Sequence, residues 1–165
     1  MNPPTIPLEK IAALQPPCLC MTIPDAWPDV NGHMNMRWYL AVYDDAGDEL
    51  HERLGLTADF HKGNTGTVDF EHHIHYLNEV MPGDRVAVYV RMVAFTPKRL
   101  HYLLFIVNET RGKLASIFEC MNGFMDLRMR KTAPFPPEIA ANIEAGVALS
   151  DSLDWPPPLC GAMHP

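Results

Sequence analysis

The chain has 165 residues, 47% of them apolar, and a net charge of −7 from 13 basic and 20 acidic side chains. That length points to one domain with a core of its own, and the apolar share excludes disorder as the global state. The acidic balance argues against general nucleic-acid binding, and no apolar run is long enough to cross a membrane.

The 16 prolines divide the chain. All but Pro82 and Pro97 lie in residues 1–28 or 134–165. The expected organisation is a proline-rich arm over residues 1–17 and an ordered domain over 18–133. A helix over 134–150 packs on or near that domain, and a poorly anchored, extended tail covers 151–165. No signal peptide is recognisable at the start, and the four cysteines (Cys18, Cys20, Cys120, Cys160) form no CxxC pair. Reduced thiols and a cytoplasmic location are therefore expected.

In chain order, Leu8–Leu14 allow a short helix, and CLCMTI (18–23) reads as a short strand. PDAWPDVNGHMN (24–35) is dense in turn formers. From Met36 the apolar residues Tyr39, Val42, Tyr43, Ala46, Leu50 and Leu54 recur at steps of three and four, which predicts a helix over 36–54. Asn35 fits its N-cap and Gly55 its stop. Its other face carries Asp44, Asp45, Asp48, Glu49 and Glu52 and reads as solvated. Residues 67–77 then alternate with a period of two, Val68, Phe70, His72, Ile74 and Tyr76 against Asp69, Glu71, His73 and His75. Strands follow at 86–92, 100–108 and 114–127, with turns at 81–84, 96–98 and 108–113. From Pro137 a helix turns Ile139, Ile143 and Val147 inward. Four successive strands with short connections after one long helix give an α+β domain, the helix burying its stripe against an antiparallel sheet.

The segment Trp27–Asn35 carries the most chemistry. It places a carboxylate just before a helix start, where N–H groups without intrahelical partners polarise a carbonyl. A carboxylate on the far side of that carbonyl attacks it or activates a water, which suits acyl transfer. The other reading is that Asp29 or Asn31 only caps the helix. Glu71, His73 and His75 share a strand with spacing open to a metal, but no further ligand group is evident. A solvated face and no metal are expected there. Glu119 either faces a pocket or pairs with a strand neighbour. Cys120 reads as core, and Met34, Met36, Met92, Met121 and Met125 read as core or interface.

DVNGHMNMRWYL (29–40) and HYLNEVMPGDRVAVYV (75–90) together resemble the 4-hydroxybenzoyl-CoA thioesterase family of hot-dog proteins over residues 18–130. The resemblance implies a hot-dog fold, one long central helix wrapped by an antiparallel sheet of about five strands. It implies hydrolysis of a small or medium acyl-CoA to free acid and CoA. Asp29 matches the family's catalytic aspartate, as nucleophile or general base. Gly32 matches the glycine that lets the substrate approach, and the N–H groups near Asn35 and Met36 match the donors to the thioester carbonyl. His33 and Asn35 match motif positions whose role varies in the family, positioning being favoured over proton transfer. No cofactor is implied, since CoA arrives as part of the substrate. Residues 85–131 carry a local charge of +6, and Arg91, Lys98, Arg99, Arg128 and Arg130 are candidates for the CoA phosphates. APFPPEI (133–139) and KRLHYLLF (98–105) resemble the betainyl-CoA thioesterase branch. Trp27, Trp38 and Tyr39 would then suit a quaternary ammonium acyl group. A homodimer or homotetramer is implied, with sites between subunits. Two alternatives stay open: a non-catalytic acyl-CoA-binding module, and an acyl-thioester dehydratase or hydratase using His33 or His75.

Overall fold

The structure, a computed structural model, describes residues 6–14, 16–57 and 62–165. Residues 1–5 and 15 of the expected arm lie outside the described residues. The elements are α1 (Leu8–Ala12), β1 (Leu19–Thr22), α2 (Met36–Leu54), β2 (Thr65–Tyr76), β3 (Arg85–Thr96), β4 (Arg99–Asn108), β5 (Lys113–Asp126), β6 (Lys131–Thr132) and α3 (Pro137–Asp151). The sheet runs β1-β3-β4-β5-β2, with β6 paired to the end of β5. β1 is antiparallel to β3, with Leu19 opposite Val88 and Thr22 opposite Arg85.

Strand position explains the sequence patterns. β4 and β5 sit inside the sheet and are buried along almost their whole length, so they read as continuous apolar runs. β2 ends the order and is exposed through its middle. Its predicted apolar face stays in the open, with Phe70 46% and Tyr76 52% exposed.

The chain divides into two compact units, one of residues up to 49, 74–90 and 104–118, the other of 50–73, 91–103 and 119–165. In the first, Tyr39, Val42, Tyr43 and Ala46 of the α2 stripe are buried. Tyr43 donates a 2.8 Å hydrogen bond to Ser116 and stacks on Phe118 at 4.7 Å, which fixes α2 on β5. Asp84 is buried in the turn before β3. Its Oδ2 accepts from the Met81 N–H, the Asn108 amide and the Arg111 Nε at 2.9, 2.7 and 2.6 Å.

In the second unit Gly55 ends α2 at φ +96°, and a Cβ there would meet Ile139 Cδ1 at 2.9 Å. The Asn142 amide donates to the Leu54 carbonyl, tying α3 to that helix end. Ile139 and Ile143 are buried as expected, while Val147 is only half-buried. The tail beyond α3 is anchored, contrary to expectation. Trp155 is buried with the Arg91 guanidinium 4.1 Å from its ring, and the Cys160 N–H donates to Glu119 Oε2.

Candidate active site

The loop between β1 and α2 folds into a small hairpin. Pro28 bridges to Met34, the Asp29 N–H donates to the His33 carbonyl, and the Gly32 N–H donates back to the Asp29 carbonyl. The turn needs φ +86° at Gly32, a left-handed conformation that glycine adopts without a Cβ penalty. Within it Asp29 Oδ1 accepts from the Asn31 N–H at 2.8 Å, so the carboxylate is oriented by its own turn. The hairpin is pinned from outside, since the Met34 N–H donates to the Val80 carbonyl and the Asn35 N–H to the Trp27 carbonyl.

This settles which residue caps α2. Asn35 Oδ1 accepts from the Arg37 N–H at 3.1 Å, and its carbonyl accepts from the Trp38 N–H. Neither Asp29 nor Asn31 does so. The Asn35 N–H is spent on the Trp27 carbonyl, so it is not the oxyanion donor that the resemblance implies. The Met36 N–H, in the first turn, has no acceptor among the described residues.

Beside this turn lies an open cavity of about 330 Å³, lined by Asp29, His33, Met34, Met36, Tyr39, Tyr76, Leu77, Asn78 and Glu79. His33 stands between two carboxylates, with Nδ1 3.9 Å from Asp29 and Nε2 3.9 Å from Glu79. Tyr39 meets Tyr76 edge to face at 5.1 Å. Burial pushes the Tyr39 hydroxyl up to about 12, against a hydrogen bond with the Val80 backbone that lowers it; Tyr76 and Glu79 add to the rise. Tyr39 therefore presents a neutral ring at physiological pH.

Asp29, His33, Met36 and Tyr39 are thus brought together as the sequence suggested. Gly32 shapes the turn, and the space where its Cβ would stand is open. Trp27 and Trp38 stack on each other at 4.6 Å and are not in the lining, which corrects their assignment to the acyl pocket. Arg91 is buried, with Nε bonded to the Ser150 hydroxyl and Nη2 to its carbonyl, so it is not an exposed phosphate ligand. Lys98 lies in the turn between β3 and β4, Arg99 opens β4, and Arg128 and Arg130 share the turn between β5 and β6. All four are exposed, and none lines the cavity. Glu119 pairs with His101 of the neighbouring strand at 2.9 Å, which decides between its two readings. No group of three or more metal-binding side chains occurs among the described residues, Glu71, His73 and His75 included.

Sequence reasoning missed Tyr76, Leu77, Asn78 and Glu79 as lining residues. The signal is in the sequence, since these four residues lie within the motif of residues 75–90. The Leu77 and Asn78 N–H groups both donate to the Ala115 carbonyl, and the Asn78 amide donates to the Leu114 carbonyl. The segment is a fixed shelf in front of α2.

One long helix, the sheet order above and a carboxylate turn at the helix start together define a hot-dog protein. The chain belongs to the thioesterase-like superfamily, whose family model matches residues 23–143. It is similar to the L-carnitine dehydrogenase/betainyl-CoA thioesterase of Agrobacterium fabrum, 35% identical over 68% of this chain and 23% of that protein. It is also similar to the betainyl-CoA thioesterase of Pseudomonas aeruginosa, 31% identical over 72% of this chain and 76% of that protein. The chain thus spans about a quarter of the length of that Agrobacterium relative. A Staphylococcus aureus protein solved in complex with CoA is 24% identical, with a TM-score of 0.80 over 88% of this chain and 92% of that one. That likeness shows the fold.

Proposed function

We propose that the chain hydrolyses a small acyl-CoA thioester to the free acid and CoA, and that its preferred acyl group carries a quaternary ammonium. The observation that carries this is that Asp29 and Met36, the first residue of α2, line one cavity, with no acceptor for the Met36 N–H among the described residues. The substrate class is supported by the names of the betainyl-CoA relatives.

In this reading the thioester carbonyl points at the Met36 N–H and the positive end of the α2 dipole, which stabilise the developing oxyanion. Asp29 either takes a proton from a water that adds to the carbonyl carbon, or adds to that carbon itself. Both routes break the C–S bond and release the thiolate of CoA, which is protonated. In the second route water then hydrolyses the anhydride formed on Asp29. His33 orients the carboxylate. CoA enters as part of the substrate, so no separate cofactor is assigned. The exposed cations Lys98, Arg99, Arg128 and Arg130 are the candidates for its phosphates.

The working unit is proposed to be a homodimer in the cytoplasm. The long, exposed edge strand β2 supports pairing with a second copy. No described helix is long and apolar enough to cross a membrane.

Thiol release from a panel of acyl-CoAs, betainyl-CoA included, tests the activity. Asp29→Asn is expected to lower kcat/KM by about 10²–10⁴-fold with the fold unchanged. Unchanged turnover in the mutant would remove Asp29 from the mechanism. Acyl-CoA binding without thiol release would favour a binding module, and hydration of an enoyl-CoA a hydratase.

A further inference from the structure

The cavity holds two carboxylates that are placed differently. Asp29 is 22% exposed, and its turn holds it through the Asn31 N–H. The Glu79 side chain is 73% exposed, and His33 Nε2 stands 3.9 Å from it, beyond hydrogen-bonding distance. A carboxylate free to rotate on a mobile backbone would mean little, but here the backbone is fixed on both sides. Asn78 is tied to Leu114 and Ala115, and the wholly buried Val80 accepts from the Met34 N–H. Glu79 is therefore a charge held at the cavity wall without an ionic partner closer than His33.

The surroundings select the sign of the ligand. The lining contains Asp29 and Glu79, no lysine and no arginine. Its two aromatic rings, Tyr39 and Tyr76, meet edge to face, so a ring face and a ring edge turn different ways from one corner. The Tyr39 ring stays neutral, and the negative face of such a ring attracts a cation. A trimethylammonium group has no N–H to donate. It is recognised by ring faces and by a nearby negative charge rather than by hydrogen bonds, which suits a carboxylate that has formed none.

We infer that Glu79 is the substrate-anchoring residue that selects a cationic acyl group, with Tyr39 and Tyr76 forming the aromatic wall around that cation. Asp29, at the α2 start, acts on the carbonyl, and Glu79 acts on the far end of the acyl chain. The inference rests on the hydrolase reading above and adds to it the residue that sets charge preference.

The test compares betainyl-CoA with its neutral isostere 3,3-dimethylbutanoyl-CoA, in which carbon replaces the quaternary nitrogen. The readout is the ratio of the two kcat/KM values for the parent chain, Glu79→Gln and Glu79→Lys. The parent is expected to prefer the cationic ester. Glu79→Gln is expected to reduce the ratio about fivefold, the worth of one exposed ion pair, with most of the change in KM for betainyl-CoA. Glu79→Lys is expected to invert the preference. Turnover of the neutral ester is the internal reference: a merely structural role for Glu79 would lower both esters alike and leave the ratio unchanged. If both esters are cleaved and the ratio is the same in all three proteins, the inference falls and the hydrolase reading stands. If the parent cleaves neither ester, both fall.

Discussion

Replacing Asp84 by asparagine is expected to cost about 2 kcal/mol of stability at neutral pH. Three donors converge on one oxygen of a buried carboxylate: the Met81 N–H, the Asn108 amide and the Arg111 Nε. An amide oxygen in the same place keeps the geometry but loses the charge. A hydrogen bond to a charged group contributes about 1.5–3 kcal/mol and a neutral one about 0.5–1.5, a difference near 1 per bond. The Arg111 side chain is half-exposed and rehydrates, so it adds little, and the two remaining bonds give the total. Asp84→Ala also orphans the buried Asn108 amide and should cost about 4 kcal/mol. Burial alone would raise the Asp84 carboxyl. The Arg111, Met81 and Asn108 hydrogen bonds and the Arg111 charge outweigh burial and hold it below its ordinary value. Its contribution is therefore complete above the unfolded value of about 3.9 and is lost as pH falls through the lower folded value. Urea unfolding followed by tryptophan fluorescence, at one protein concentration, measures this at about pH 7 and across about pH 5 to 3. The reasoning fails if Asp84→Asn lies within about 0.5 kcal/mol of the parent at neutral pH, or keeps the parent's acid slope. The turn also reaches the site, since Ile23, at the head of the Asp29 loop, donates to the Asp84 carbonyl and accepts from the Gly83 N–H.

Three further outcomes are expected. Trp155→Ala should destabilise by about 3 kcal/mol, because it removes a buried ring and the cover over Arg91; a loss below 1 kcal/mol would return the tail to a loose appendage. Tyr43→Phe should cost about 1 kcal/mol by leaving the buried Ser116 hydroxyl without its donor, and an unchanged urea midpoint would refute that. Maleimide should label the exposed Cys20 in the native protein and leave Cys120 untouched until unfolding, since burial, with Asp69 nearby, pushes the Cys120 thiol well above its ordinary pKa; equal labelling of both would contradict the burial.

What the sequence made legible follows from the range of the interactions concerned. α2 runs over Met36–Leu54, as its apolar stripe and the Asn35 and Gly55 ends indicated, because caps and period are local. The Asp29 turn was legible for the same reason: its bonds join residues two to four apart. The anchoring of residues 151–165 was not. It depends on Arg91 and Glu119, dozens of residues away, meeting a tryptophan and a backbone N–H that look unremarkable in sequence. The pairing of Trp27 with Trp38 was lost similarly. Two aromatic residues near a supposed pocket suggest its lining, and only the fold shows that each covers the other.

Charge was the least dependable guide, and the reason bears on the site. The excess of +6 over residues 85–131 is a sum along the chain, whereas a ligand meets a sum in space. Folding separates the two. Arg91 is drawn into the second unit, where it holds the end of α3, while Lys98, Arg128 and Arg130 go to turns and Arg99 to the exposed start of β4. The cavity collects its ionisable groups from two stretches outside that segment, Asp29 and His33 from one and Glu79 from the other. The basic stretch therefore says nothing about the charge that this cavity presents. The sign of the cavity is set by Asp29 and Glu79, which lie fifty residues apart in sequence and stand on either side of the same imidazole, beside the bond from the Met34 N–H to the Val80 carbonyl.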